Sequence, residues 1–201
     1  MADVGIDDVL GYWFGQLDEH GCADSEHSRR WWKKDPGVDE EIHRRFREVH
    51  RAVRAGELDD WLSEPRGRLA QVIVLDQFSR NMFRGTPAAF ASDPRALELA
   101  LEALDRGDDR ALARDHRCFL YMPLLHSEDL VLQDRAVALF SGLHDQALPA
   151  QRDRSDGWLK AAEMHRDLIR RFGRFPHRNA ILDRPSTPDE IAFLEQPGAG
   201  F

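Results

Sequence analysis

The chain has 201 residues, 42% hydrophobic and 32% charged, so it is long enough to fill one sizeable core. Its formal net charge of −8 excludes a surface built to neutralise nucleic-acid phosphates. No run approaches the roughly 20 apolar residues of a membrane span. The first residues lack a secretory pattern, and the two cysteines lack zinc or disulfide spacing. We therefore expect a soluble cytoplasmic protein without nucleic-acid or membrane partners, and the oligomeric state stays open.

Helix signals recur along the chain and alternating strand patterns do not. A short apolar helix is predicted over residues 6–14, and an amphipathic one over 38–53. A third follows over 69–84, and a fourth begins at the N-cap Ser92 and ends before Gly107. The last three predicted helices cover residues 127–143, residues 155–172 with Gly173 as the C-cap glycine, and a segment that begins at the capping box Thr187–Glu190. The predicted fold class is all-α.

The organisation of these helices shows a faint repeat. Predicted helices end at Gly56, Gly107 and Gly142, and the apolar pattern resumes shortly after each one. Repeats of this size are typical of stacked helix pairs. We therefore predict a single domain over residues 1–196, built as an irregular array of antiparallel helix pairs, and a C-terminal tail over residues 197–201.

The predicted helix over residues 69–84 is apolar on every side, which indicates a buried helix. Asp76, Arg80 and Arg84 nevertheless recur on it at intervals of four, so charges enter the interior and must be paired or used. One interpretation is an Asp76–Arg80 ion pair within the helix. The other is an anionic ligand, because the helix carries more donors than Asp76 alone can satisfy. The candidate ligand-binding residues here are Asp76, Gln77, Arg80, Asn81 and Arg84.

A second candidate region is the predicted helix over residues 155–172 and the loop after it. His165 lies in the middle of its apolar face, either as a satisfied core histidine or as a general acid or base. The loop residues either clamp an acidic group or cap the helix through its last carbonyls. The candidate ligand-binding residues of this loop are Arg174, His177, Arg178 and Asn179.

His126, Glu128 and Asp129 cluster after Pro123, at the predicted start of a helix. Such a group is a conceivable metal site, but no recognised zinc spacing occurs and acidic residues are common at helix starts. We therefore predict no metal and no cofactor, and we count His126 and Glu128 among the candidate ligand-binding residues.

The adjacent pair Trp31 and Trp32 is flanked by two arginines and two lysines. One interpretation is a pair of core anchors. The other is a surface on which a base or another ring stacks.

Three ordered polar motifs carry a resemblance to a known family: Asp76–Asn81, His126–Asp129 and Phe172–Asn179. Together they resemble the bacterial domain-of-unknown-function family 924, and the similarity extends from Val9–Gly15 to Phe193 and Leu194. The resemblance implies an all-helical, tetratricopeptide-like fold and no established activity. It also implies a glycine at the position of Asp183.

Charge placed on predicted buried faces leads to our functional hypothesis, a small anionic metabolite bound in an internal polar pocket. Whether the protein is an enzyme is left open; the candidates for proton transfer are His165, His177 and Asp76. The alternative function is a tetratricopeptide-like scaffold that presents a groove to a peptide or protein partner.

Overall fold

A computed structural model of the chain describes residues 4–198. Over these residues the secondary structure is helical, and the only β-type pairing is an isolated bridge between Leu17 and Ala23, so the all-α prediction is confirmed. The chain divides into two compact units. The first contains residues up to 84 and 88–123, and the second contains residues 85–87 and those from 124 onward. The predicted domain boundary at residue 196 stays a prediction, and residues 199–201 of the predicted tail lie outside the described range.

Each unit has its own helices. The helices of the first unit are α1 (Ile6–Phe14), α2 (Ser25–Arg30), α3 (Pro36–Arg54), α4 (Pro65–Val72), α5 (Ser79–Met82) and α6 (Asp93–Arg106). Helix α7 (Arg114–Leu125) has its first ten residues in the first unit. The helices of the second unit are α8 (Leu130–Asp145), α9 (Arg152–Phe172) and α10 (Pro188–Leu194). Short 3₁₀ turns occur at Asp59–Ser63, Pro87–Ala89, Asp108–Ala111, Pro149–Gln151 and Pro176–Arg178.

The predicted buried helix forms the centre of the first unit. Every residue from 67 to 76 is buried, so the first half of the predicted helix has no solvent-facing side, whereas residues 80–83 are partly exposed and Arg84 is exposed. Helix α3 packs against one part of it and α6 against another. Between α4 and α5 the backbone forms a π-helical segment, Ile73–Phe78, which the sequence periodicity did not predict. Such segments are often found at functional sites.

Aromatic rings fill the space around α1. The ring of Phe119 contacts those of Trp13, Phe14 and Trp31 at centroid distances of 5.6, 5.4 and 4.7 Å. The indole Nε1 of Trp31 donates a hydrogen bond to the carbonyl oxygen of Trp13 at 2.9 Å. Trp31 is therefore a core anchor, whereas Trp32 is 60% exposed. The core-anchor interpretation therefore applies to Trp31, and the stacking-surface interpretation stays open for Trp32.

Two predicted helix starts differ in detail from the observed ones. Ser92 does occupy the N-cap position of α6, but its backbone is helical rather than extended, and its buried Oγ has no hydrogen-bond partner. Helix α8 begins at Leu130, three residues after the predicted start at residue 127, and its N-cap is Asp129. The Asp129 carboxylate accepts the amides of Val131 and Leu132, because its backbone is extended there.

The second unit is built on α8 and α9, which pack against each other. Gly173 ends α9 in the left-handed conformation with φ 69°, and Thr187 and Glu190 form the predicted capping box of α10. The side-chain Nε2 of the fully buried Gln133 donates to the carbonyls of Leu125 and Ser127, beyond the end of α7. The tetratricopeptide-like arrangement stays a prediction. Among the described residues no helix is long and apolar enough to cross a membrane.

Candidate functional site

The charged residues of the buried helix meet carboxylates of the first unit. Asp76 is 1% exposed, and its carboxylate lies 2.9 Å from Nη1 of Arg80 and 2.6 Å from Nε2 of Gln77. Both terminal nitrogens of Arg80 also donate to Asp93, at 2.9 and 3.0 Å. Burial opposes the charge of Arg80, but these two carboxylates raise its pKa. The predicted ion pair within the helix is present, and Asp93 extends it.

The remaining donors of this helix converge on one residue of α3. Asn81 donates to Asp39 at 2.7 Å, and Arg84 donates to both Asp39 oxygens at 2.6 and 2.7 Å. Burial raises the pKa of Asp39, but the hydrogen bonds from Arg84 and Asn81 outweigh that effect and lower it. Donors that looked surplus in the sequence therefore have carboxylate partners, Asp39 and Asp93, in their own unit.

A buried histidine–serine pair also lies at this motif. Nε2 of His50 and Oγ of Ser79 are 2.8 Å apart, and both residues are buried. Burial, assisted by the charge of Arg54, lowers the pKa of His50 to about 4. The sequence analysis did not single out either residue. The pair joins α3 to α5 and holds a neutral imidazole inside the first unit.

An open polar groove of about 480 Å³ lies elsewhere on the first unit. Its residues come from α1, α2 and α3, and none of them was a predicted site residue. They are Asp7, Asp8, Gly11, Tyr12, His27, Arg30, Glu41 and Arg45. The acidic and basic groups of the groove form exposed pairs, such as Glu41 with Arg45 at 3.2 Å. Such pairs contribute little to stability and exchange readily with solvent.

In the second unit, Glu128 fixes the loop that follows α9. Its carboxylate accepts the backbone amide of Phe175 at 2.8 Å and two nitrogens of Arg184 at 2.7 and 3.0 Å. Burial raises the pKa of Glu128, but these hydrogen bonds lower it more. Arg184 was missed because the sequence analysis considered only its neighbour Asp183. Glu128 therefore holds both ends of the segment 175–184.

A second ion pair closes the same loop. Arg174 donates to both oxygens of Glu190 at 2.7 and 2.8 Å, and these hydrogen bonds lower the pKa of Glu190 to about 2. Asn179 accepts from Arg184 at 3.0 Å and donates to Glu190 at 3.3 Å, so it links the two ion pairs. Arg174, Asn179 and Glu128 are thus engaged in holding the loop. Their predicted ligand contacts stay predictions.

Four further predicted residues gather around the ring of Phe175. We call His126, His165, His177 and Arg178 the imidazole cluster. The rings of His165 and His177 lie 5.5 and 5.6 Å from that of Phe175, and Cζ of Arg178 lies 4.5 Å above it. The rings of His126 and His165 are 6.4 Å apart. Two imidazoles and one guanidinium therefore share a single aromatic surface, and the third imidazole, His126, lies beside the ring of His165.

Two histidines of this cluster, His165 and His177, are neutral at neutral pH. Burial, together with the neighbouring His126, His177 and Arg178, lowers the pKa of His165 to about 3. Burial and Arg178 lower the pKa of His177 to about 4. Nδ1 of His165 donates to the Ala161 carbonyl at 2.7 Å, which fixes the proton on that nitrogen and leaves Nε2 as the acceptor.

Metal ligation has no support in the part of the chain that the structure describes. No group of three or more histidine, cysteine or acidic side chains there has an arrangement that holds a metal ion.

The predicted site residues fall into two sets. The first set lies in the first unit and contains Asp76, Gln77, Arg80, Asn81 and Arg84. The second set lies in the second unit and contains His126, Glu128, His165, Arg174, His177, Arg178 and Asn179. Within each unit the structure brings its own set together. The single pocket built from both sets stays a prediction.

Comparison with known proteins agrees with the motifs. The sequence model of a family described as bacterial protein of unknown function, DUF924, matches residues 9–198. The chain belongs to the DUF924 family. It is 40% identical to ATU0120, a protein of unknown function from Agrobacterium tumefaciens whose structure is solved. That match has a TM-score of 0.80 and covers 96% of this chain and 97% of the other. No curated protein matches the chain.

The one departure from the DUF924 pattern noted in the sequence has a structural consequence. Asp183 has φ 53°, and it is the only residue other than glycine with a positive φ between residues 4 and 198. Glycine adopts this conformation at no steric cost, and aspartate is among the few other residues that tolerate it. The expected glycine therefore fits the backbone, and Asp183 keeps the same turn.

Proposed function

We propose that this DUF924 protein binds a small anionic molecule at the imidazole cluster of its second unit. The observation that carries the proposal is the convergence of His165, His177 and Arg178 on the ring of Phe175, with His126 beside His165. A guanidinium offers a planar fork of donors suited to carboxylate or phosphate, and Nε2 of His165, an acceptor in the neutral ring, becomes a further donor when the ring is protonated.

Electrostatics support an anion in preference to a cation. Burial makes His165 and His177 more difficult to protonate, and the positive charge of the neighbouring Arg178 adds to this effect. A bound anion reverses that penalty, since a nearby negative charge favours the protonated form of each histidine. Ligand affinity is therefore expected to rise as the pH falls from 7 towards 5.

The loop that carries the cluster is preorganised. The ion pairs Glu128–Arg184 and Arg174–Glu190 hold the segment around His177 and Arg178, and Asn179 joins them. A loop fixed before the ligand arrives loses less conformational freedom on binding. Arg174 and Asn179 thus serve the proposed site by positioning it.

Binding is favoured over proton transfer. A general acid or base works best with a pKa near the working pH, whereas the pKa of His165 is about 3 and that of His177 about 4. The catalytic roles suggested for His165, His177 and Asp76 stay hypotheses. The proposal also keeps the cytoplasmic location, in line with Cys22 and Cys118, which form no disulfide.

A thermal-shift screen tests the proposal directly. The probes are inorganic phosphate, succinate and a panel of acidic metabolites at pH 6 and pH 7. A ligand at about 100 times its Kd stabilises the folded state by about 2.7 kcal/mol, so a saturable rise in the unfolding temperature is expected.

Matched variants locate the binding. Arg178→Gln is expected to weaken binding by about 1.5–3 kcal/mol, the range for hydrogen bonds to charged groups. Arg170→Gln, an exposed arginine of α9, serves as the control and is expected to bind like the wild type. If Arg178→Gln fails to fold, Arg178→Lys keeps the charge without the planar fork. Stabilisation by a peptide and by none of the small anions would favour the scaffold function instead.

A further inference from the structure

Trp32 of the first unit presents a large aromatic side chain to solvent. It is 60% exposed, although Trp31 beside it is buried. Its ring is stacked on Phe119 with a centroid distance of 6.1 Å and an interplanar angle of 20°, and Trp31 meets it at 89°. One face of the indole is therefore fixed against the core. The exposed area lies on the opposite face and along the free edge.

A rigid, solvent-facing tryptophan is uncommon on a surface without a partner. Exposure of so large an apolar ring forfeits the free energy of its burial, and tryptophan is enriched where surfaces bind ligands or partners. The stacking of Trp32 on Phe119 also favours binding, because a ring already held in place loses little conformational freedom when the ring of a ligand stacks on it.

The charges around Trp32 indicate the charge of a ligand whose ring would stack on it. Lys33 and Lys34 follow it directly and are exposed, and neither forms an ion pair within the described residues. Arg29 and Arg30 precede the tryptophan pair on α2. This basic patch contrasts with the formal net charge of −8 of the whole chain. A partner that uses both features has a flat ring and negative charge.

We propose that Trp32 stacks on the base of a nucleoside phosphate whose phosphate groups contact Lys33 and Lys34. Every base has a π-face, so stacking on tryptophan tolerates any base, and lysine ammonium groups bind phosphate as point charges. An apolar peptide side chain would leave the lysines unused, and an inorganic anion would leave the ring unused. This site is separate from the imidazole cluster and does not depend on it.

Isothermal titration of the full chain with ATP at 50 mM salt is the test, with three variants beside the wild type. Trp32→Leu is expected to weaken ATP binding about tenfold, and Trp32→Phe to keep most of it, since base stacking on an aromatic ring is lost only in the first. The double variant Lys33→Gln, Lys34→Gln is expected to weaken binding and to reduce its dependence on salt.

Matched controls separate this site from general charge effects. The double variant Arg44→Gln, Arg47→Gln removes the same charge from exposed positions of α3 and is expected to bind ATP like the wild type. Adenosine and inorganic triphosphate, titrated alone, are each expected to bind at least about tenfold more weakly than ATP, because each uses only one of the two contacts.

Several results would overturn the proposal. They are unchanged ATP affinity in Trp32→Leu, equal affinity for inorganic triphosphate, equal affinity for adenosine, or no ATP binding at millimolar concentration. Loss of ATP binding in Arg178→Gln with full binding in Trp32→Leu would assign the nucleotide to the imidazole cluster instead. Thermal unfolding of each variant checks that it is folded; the exposure of Trp32, Lys33 and Lys34 predicts wild-type stability.

Discussion

The two units place arginine in different surroundings. In the first unit, Arg80 faces Asp76 and Asp93, and Arg84 faces Asp39. In the second unit, Arg178 lies over the ring of Phe175, which His165 and His177 also contact. The role of an arginine near the core therefore depends on the side chains that contact it. Carboxylate partners tie helices together, whereas aromatic and imidazole neighbours build a surface that favours an anion.

The largest expected effect comes from breaking the carboxylate network of the first unit. Asp76→Asn is expected to lower the free energy of unfolding by about 3 kcal/mol, the lower end of the range for breaking a buried ion pair, because Asp93 still pairs with Arg80. Urea denaturation measures the change. Asp7→Asn breaks the exposed pair with Arg66 and is expected to cost less than about 1 kcal/mol. Similar losses in the two variants would show that the first unit does not depend on its buried network.

Acid titration examines the histidines of the second unit. The pKa of His165 is about 3 in the folded protein against an ordinary value of 6.5. As the pH falls below 6.5 the unfolded chain therefore takes up a proton that the folded chain does not, and stability declines until about pH 3. His165→Gln is expected to flatten this decline by at most about 1.4 kcal/mol per pH unit.

The measurement is urea denaturation at pH 7, 5.5 and 4.5. His43→Gln replaces an exposed histidine of α3 and is expected to follow the wild type. A decline in His165→Gln as steep as in the wild type would mean that burial of this imidazole does not govern the acid response.

A smaller effect is expected from the neutral pair of the first unit. Ser79→Ala leaves Nε2 of His50 buried without its 2.8 Å partner, so the free energy of unfolding is expected to fall by about 1–3 kcal/mol. Ser28→Ala, at a partly exposed position in α2, is expected to stay within about 0.5 kcal/mol of the wild type. Anion affinity is expected to be unchanged in both variants. A weaker anion complex in Ser79→Ala would place part of the binding energy in the first unit.

The smallest effect concerns the turn of the second unit. Asp183→Gly is expected to increase the free energy of unfolding by less than about 1 kcal/mol, which a slightly higher unfolding temperature would show. The left-handed conformation costs an ordinary residue roughly 1–2 kcal/mol, and the greater backbone entropy of glycine offsets about half of that gain. Asp183→Ala is expected to be less stable than the wild type. A glycine variant less stable than the wild type would mean that the Asp183 side chain contributes more than its backbone costs.

Local signals predicted most of the longer helices but not α2 or α7. Helix α1 has the predicted bounds of Ile6–Phe14, and the capping box at Thr187 and Glu190 is present, because both depend on residues within four positions of one another. The burial of residues 69–76 on all sides also followed from their composition. The π segment did not, since its residues are as apolar as those of an ordinary helix.

Sequence patterns could not predict the ion-pair partners of the charged residues. Asp39 lies 45 positions before Arg84, and Glu128 lies 56 positions before Arg184. No periodicity connects residues so far apart. The apparent surplus of donors on the buried helix was inferred without these carboxylates. The histidines around Phe175 were recognised individually, but their shared aromatic surface depends on the turn after Gly173.

Histidine-ring nuclear magnetic resonance during titration with phosphate and with succinate tests the central claim most directly. His50 and His116 of the first unit are buried and have a pKa of about 4, so they serve as internal controls for His165 and His177. The account predicts that the signals of His165 and His177 shift in a saturable way while those of His50 and His116 stay fixed. Equal shifts in both units, or no shift of His165 and His177 with either anion, would contradict it.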